Sequence, residues 1–284
     1  MVVRELELVK PSMMLDTLTK MPPGLVPFYD KMMEKVQEQP QEDVQQCIRM
    51  LSMPTIAYRP LTLEELGSLS LPQAHTSTPH EGDVKWYIER CSAFLTVTED
   101  GFVHLLHQSV KDYFAHSPET TLGSSLAALH HEMALKSIAG MQRTLRRNVY
   151  NLDHDGAPVP TRSPNPDPLA SVRYSCINWV NHLIDSSSNP EDFADHGLAD
   201  RFLRSSFLHW LEALSLLRNL SSGITILSNL LSQLQVSPKA SVDSTDTDDY
   251  KATGESSQFF DLIRDMLRFV RYHKHASGEE CWPE

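Results

Sequence analysis

Residues Phe94 to Phe114 read F-L-T-V-T-E-D-G-F-V-H-L-L-H-Q-S-V-K-D-Y-F, and they hold the one strong hairpin signal in the chain. Two short β-rich runs, Phe94 to Thr98 and Phe102 to Leu106, flank Glu99-Asp100-Gly101. Asp-Gly suits backbone positions of positive φ, so a tight turn is predicted between the runs. Ser109, three residues before Asp112, then predicts the cap of a helix carrying Val110, Tyr113 and Phe114.

Working back from the hairpin, Asp83 predicts the start of a helix through Trp86, Ile88 and Cys91. Residues Leu71 to Gly82, rich in Pro, Ser, Thr and His, read as a loop. In Arg59-Pro60-Leu61-Thr62-Leu63-Glu64-Glu65-Leu66, Thr62 and Glu65 stand at capping-box spacing, so a short helix begins there. Asp43 predicts an earlier N-cap, with Val44, Cys47, Ile48 and Leu51 on one helical side and Pro54 as its close. Three short helices followed by a hairpin make a winged helix-turn-helix order.

Outside that unit the pattern is helical. Leu25, Phe28, Tyr29, Met32, Met33 and Val36 form an amphipathic helix after Pro22-Pro23-Gly24, ending near Pro40. Downstream stripes are Leu135, Ile138, Met141 and Leu145; Leu169, Val172, Cys176, Trp179 and Leu183; and Leu203, Phe207, Trp210, Leu214 and Leu217. Ile224, Leu227, Leu231 and Leu234 follow, and Phe260, Ile263, Leu267 and Val270 define a last helix. The chain is therefore expected to be mostly α, a winged-helix unit with one β-hairpin followed by a helical domain. The boundaries expected are a helical tail over 1–42, the winged helix over 43–118 and a helical domain over 119–236. An acidic flexible linker over 237–257 leads to a C-terminal helix over 258–284.

The 284 residues are 22% charged and 40% hydrophobic, which suffices to bury a core. No apolar run reaches the roughly 20 residues that cross a bilayer, and Met1 to Lys10 hold no secretory core, so a cytoplasmic protein without membrane contact is expected. Cys47, Cys91, Cys176 and Cys281 lack metal-ligand spacing and read as reduced, mostly buried thiols. A net charge of −12 repels phosphate backbones and anionic surfaces.

Catalytic patterns fail one by one. No Gly-Lys dipeptide, GxGxxG or GxSxG occurs, so the sequence has no glycine loop for nucleotide and no nucleophile elbow. His130-His131-Glu132 lacks the second zinc-protease histidine, because Leu135 stands there; both histidines read as partly exposed helix residues. Across Asp243 to Asp249, the glycine and glutamate of a calcium loop are replaced by Asp248 and Gly254. The expectation is a non-enzyme with no catalytic residue, metal, cofactor or small-molecule substrate. DNA is an unlikely partner for the winged unit, where nine acidic residues oppose five basic ones between Asp43 and Pro118, a balance of −4.

Several strings together resemble one family. Leu18 to Glu34 (L-T-K-M-P-P-G-L-V-P-F-Y-D-K-M-M-E), Ala57 to Leu66 (A-Y-R-P-L-T-L-E-E-L), Cys91 to Thr96 (C-S-A-F-L-T) and Leu106 to Phe114 (L-H-Q-S-V-K-D-Y-F) are the first four. Pro166 to Leu183 (P-D-P-L-A-S-V-R-Y-S-C-I-N-W-V-N-H-L) and Trp210 to Leu217 (W-L-E-A-L-S-L-L) complete the set. These resemble the region after the NTPase core in fungal NACHT proteins, NLR-like signal-transduction ATPases of the STAND class. The resemblance implies a regulatory module of innate-immune-type signalling whose winged helix folds onto bound ADP and holds the ATPase closed. It also implies that His107 matches the histidine that reaches the ADP β-phosphate, at a helix N-terminus suited to an anion. The phosphate loop and the Mg²⁺-binding acidic strand are absent here, so His107 would sense nucleotide only with an NTPase core supplied in trans. A protein partner, such as that core, is expected; a nucleic-acid-binding regulator and an inert truncated remnant are the alternatives.

Overall fold

The computed structural model describes residues 25–72, 81–154, 159–186, 190–236 and 257–274. It is mostly helical with one small sheet, and divides into two compact units, Met1–Leu129 and His130–Glu284. Most of the expected acidic linker, including the Asp243 to Asp249 stretch, lies outside the described residues, as does Cys281. The other three cysteines are free and buried.

The first unit begins with α1 (Leu25–Gln37) and α2 (Gln41–Ile56), then β1 (Leu61–Thr62), α3 (Leu63–Ser70) and α4 (Glu81–Arg90). Strands β2 (Leu95–Val97) and β3 (Phe102–Leu105) follow, then α5 (Gln108–His116) and the short α6 (Pro118–Thr121). The hairpin is joined by β1, which pairs antiparallel to β3 through Leu61 with Val103 and Thr62 with Phe102. Sheet order is thus β1-β3-β2, and helix, strand, two helices and a hairpin make the winged-helix order. The sequence reading missed β1 because two residues are too few to show an alternation.

The turn between β2 and β3 is a three-residue loop. Thr98 and Phe102 close it, and only Gly101, at φ +80°, takes a positive value, whereas the sequence reading assigned such values to the tight turn generally. A turn closed by one left-handed glycine matches the strand twist without straining Asp100.

At α3 the capping box forms as expected. Thr62 Oγ1 accepts from the Glu65 amide at 3.3 Å, and the Glu65 carboxylate accepts from the Thr62 amide at 2.9 Å. Two other predicted ends move. Helix α2 starts at Gln41 rather than at an Asp43 cap, and it runs through Pro54 to Ile56. Near a helix end Pro54 removes one amide bond only, and neighbouring Thr55 bonds back to Leu51 O at 2.7 Å. Helix α4 starts at Glu81, two residues before the predicted Asp83.

Helix α1 buries Phe28, Tyr29, Met32, Met33 and Val36 of the face that its spacing predicts, while Leu25, its first residue, is exposed. Tyr29 lies against Phe94 and Tyr113, with ring centroids 5.9 and 5.2 Å apart, and Tyr113 donates to Asp30 Oδ1 at 2.8 Å. Burial, followed by that carboxylate, pushes the Tyr113 phenol well above its ordinary range.

The second unit takes most of α7 (Leu126–Thr144), then α8 (Arg173–Asp185), α9 (Leu198–Leu216), α10 (Leu220–Val236) and α11 (Gln258–Lys274). The stripe Leu169, Val172, Cys176, Trp179 and Leu183 is buried throughout. It meets Leu203, Trp210 and Leu214 of α9 and Leu227, Ile263, Leu267 and Val270 from α10 and α11 in one apolar core. On α7 the predicted stripe shifts: Ala134, Ile138, Met141 and Leu145 are buried, while Leu135 is 40% exposed. Successive residues on a helix are about 100° apart, so one of the pair must face out. Trp179 stands edge-on to Trp210, whose Nε1 donates to Cys176 O at 2.9 Å. A buried indole needs such a partner.

Candidate functional site

His107 stands between β3 and α5, in extended backbone with φ −155° and ψ 155°, and it is the N-cap of α5. The spacing of Ser109 to Asp112 predicts that role for Ser109. Instead, His107 Nδ1 accepts from the Ser109 amide at 3.1 Å, and Ser109 Oγ lies 2.8 Å from the same nitrogen. The Ser109 hydroxyl is drawn inward by Tyr29, whose hydroxyl is 2.8 Å away. A serine committed to a tyrosine on α1 does not also cap the helix, so the preceding histidine does.

This cap fixes a tautomer. A ring nitrogen that accepts from an amide carries no proton, so the proton of neutral His107 sits on Nε2. Its ring is exposed, and the N–H is presented to solvent at the positive end of a helix. The arrangement suits hydrogen bonding to an anionic oxygen. The carboxylates of Asp30 and Asp112 accept from the Tyr113 hydroxyl and the Gln108 amide respectively.

The remaining surfaces of this unit carry less. On α4, Lys85 bridges Glu81 at 2.5 Å, and Arg90 lies over the Trp86 ring with its guanidinium carbon 3.0 Å from the centroid. Asp83 and Glu89 are exposed beside them, and the wing tip is Glu99-Asp100. Phosphate binding by this face would have to break those contacts and overcome the carboxylates. Among the described residues, no group of three or more His, Cys, Asp or Glu side chains converges to hold a metal ion. No described helix is long and apolar enough to cross a membrane.

His130 and His131 are partly exposed, as expected, but each has a partner that its local sequence does not show. His131 Nε2 lies 2.9 Å from Asp192 Oδ2, and His130 Nδ1 lies 2.8 Å from His182 Nδ1. Both partners come from more than fifty residues away, a distance at which no spacing rule operates.

Comparison with known proteins adds one relationship. The chain is 33% identical over 246 residues to the vegetative incompatibility protein HET-E-1 of Podospora anserina. It is a distant relative of HET-E-1. The shared region covers 80% of this chain and 18% of HET-E-1, so the chain spans about a fifth of that protein's length. No family model matches the chain, and no solved structure matches it. The kinship with HET-E-1 agrees in direction with the fungal resemblance read from the motif strings.

Proposed function

We propose that this chain is a non-catalytic regulatory and protein-interaction module of a NACHT-type, NLR-like signalling ATPase. Its winged-helix unit contacts an NTPase core supplied elsewhere, and His107 reads the nucleotide held there. The observation that carries this reading is the His107 cap: Nδ1 is occupied by Ser109, so Nε2–H points outward as a donor at a helix N-terminus. A β-phosphate oxygen of ADP is the acceptor that the family resemblance places there, and a charge-assisted bond of this kind contributes about 1.5–3 kcal/mol. The kinship with HET-E-1, named for vegetative incompatibility, supports a signalling role.

The test is calorimetric titration of the full chain into an isolated NACHT-type core loaded with ADP. Binding is expected to be tighter with ADP than without it, and His107→Ala should remove about tenfold or more of that difference. Absence of binding to the core in either state rejects the proposal. Equal loss in both nucleotide states would assign His107 to the fold of α5 and not to the nucleotide.

A further inference from the structure

In the second unit, three side chains form a row between α8 and α7. The Tyr174 hydroxyl is 2.7 Å from His182 Nε2, and His182 Nδ1 is 2.8 Å from His130 Nδ1. Tyr174 and His182 are fully buried, whereas His130 is partly exposed at the solvent end. Asp185, also on α8, is the charged group that acts on His130, and it favours the cation. The adjacent His131 faces Asp192 instead.

Two ring nitrogens at 2.8 Å share one proton. With none the lone pairs repel, and with two the N–H groups collide. Of the two polarities that the distances allow the neutral row, the one that uses the phenol as donor, its stronger role, has Tyr174 donating to His182 Nε2, His182 Nδ1–H donating to His130 Nδ1, and the His130 proton on Nε2. A His130 cation carries protons on both nitrogens, so it must be the donor in the bridge. His182 then holds its proton on Nε2, and Tyr174 must accept.

We propose that this row is an acid sensor: uptake of one proton by His130 reverses both hydrogen bonds, turns the fully buried Tyr174 phenol from donor to acceptor and places a cation against buried side chains, and so loosens the packing of α8 on the second turn of α7. The proton comes from solvent. Because Nδ1 of His130 is engaged, the ring must swing out to take it, and His182 exchanges its Nδ1 proton for one on Nε2 before the ring returns. The turn concerned is the place where the chain passes from the first compact unit into the second.

Burial lowers the His130 imidazolium below its ordinary range despite Asp185. It holds His182 down to about 3, with the His130 charge as a second cause, so His130 is the group that charges first. The neighbouring His131–Asp192 contact is a separate one, and a test must keep the two apart.

Full-length protein with ¹⁵N-labelled histidine, followed by NMR from pH 8 to 5, reads the tautomers directly. His182 should pass from the Nδ1–H to the Nε2–H form in step with the titration of His130. Amide exchange over residues 126–134 should rise several-fold in the same step, relative to α9. His130→Gln should abolish that rise, while Asp192→Asn should keep it. Tyr174→Phe should raise the His130 midpoint, since the neutral row loses the bond in which the phenol donates, the stronger of the two roles. A His182 tautomer that stays constant while His130 titrates overturns the proposal, as does an exchange rise that survives His130→Gln or a midpoint unmoved in Tyr174→Phe.

Discussion

Arg59 holds Glu65 through two bonds, Nη1 to Oε2 at 2.8 Å and Nη2 to Oε1 at 2.7 Å, although Glu65 is 1% exposed. The same carboxylate closes the capping box of α3. One buried group therefore ends a strand, starts a helix and neutralises an arginine. Glu65→Ala leaves the cap open and Arg59 without this carboxylate. A loss of about 2–3 kcal/mol is expected in urea unfolding, lower than for a fully buried pair because Arg59 is 37% exposed. Glu65→Gln, which keeps the cap acceptor, should lose roughly half as much. Equal stability of Glu65→Ala and the parent chain would contradict this account.

Gly197 precedes α9 where backbone crowds it. A Cβ there would meet Glu191 O at 2.2 Å, Ala194 O at 2.8 Å and Asp192 O at 2.9 Å. Backbone carbonyls do not move aside as a side-chain tip does. Gly197→Ala should cost on the order of 3 kcal/mol, read by thermal unfolding of the second unit. A neutral effect would show that the 190–197 loop is free to rearrange.

Asp195 fixes the start of α11. Its carboxylate accepts from Ser257 Oγ at 2.7 Å and from the amides of Gln258 and Phe259 at 3.3 and 2.7 Å. The Ser257 bond, followed by the amide bonds, lowers its pKa from the ordinary 3.8. With a depressed folded value, the stabilisation is fully present above pH 3.8 and is lost as pH falls below it. Amide exchange in α11 should therefore quicken in that window, and Asp195→Ala should show the quickened exchange already at pH 7. Identical exchange profiles for the two chains would remove Asp195 from this role.

Trp210→Phe keeps an aromatic ring in the core but removes the bond that the indole Nε1 makes to Cys176 O at 2.9 Å. The expected cost is about 1–2 kcal/mol, from one lost buried hydrogen bond and a small void. Its measurement is denaturant unfolding followed by the remaining tryptophans.

Duplex DNA should give no salt-dependent shift with the purified chain. Lys85 and Arg90 are occupied by Glu81 and Trp86, and the wing tip is acidic. A retarded complex at 50 mM salt that dissolves by 200 mM would reinstate the winged helix as a nucleic-acid reader.

Much of the architecture was legible because it is written locally. The Thr62–Glu65 box, the Asp100-Gly101 turn and the stripe from Leu169 to Leu183 all lie within a few residues of their own partners. Helix ends were less legible, because Gln41, Glu81 and Gln108 start helices without the side chains that usually announce them. The site was half legible. Its position at His107 came from motif resemblance, but the capping role depends on Tyr29, eighty residues before Ser109 in the chain. Asp195 and the His130–His182 contact left no local signal at all, since each joins segments tens of residues apart.

Strand β3 lies between β1 and β2 although it is the last of the three to be synthesised. Leu61 therefore waits for Val103, and no shorter amino-terminal product ending before the wing has a seat for its first strand. On the ribosome, β1 therefore stays unpaired until roughly residue 105 has cleared the exit tunnel, and the sheet of this unit closes only at that length.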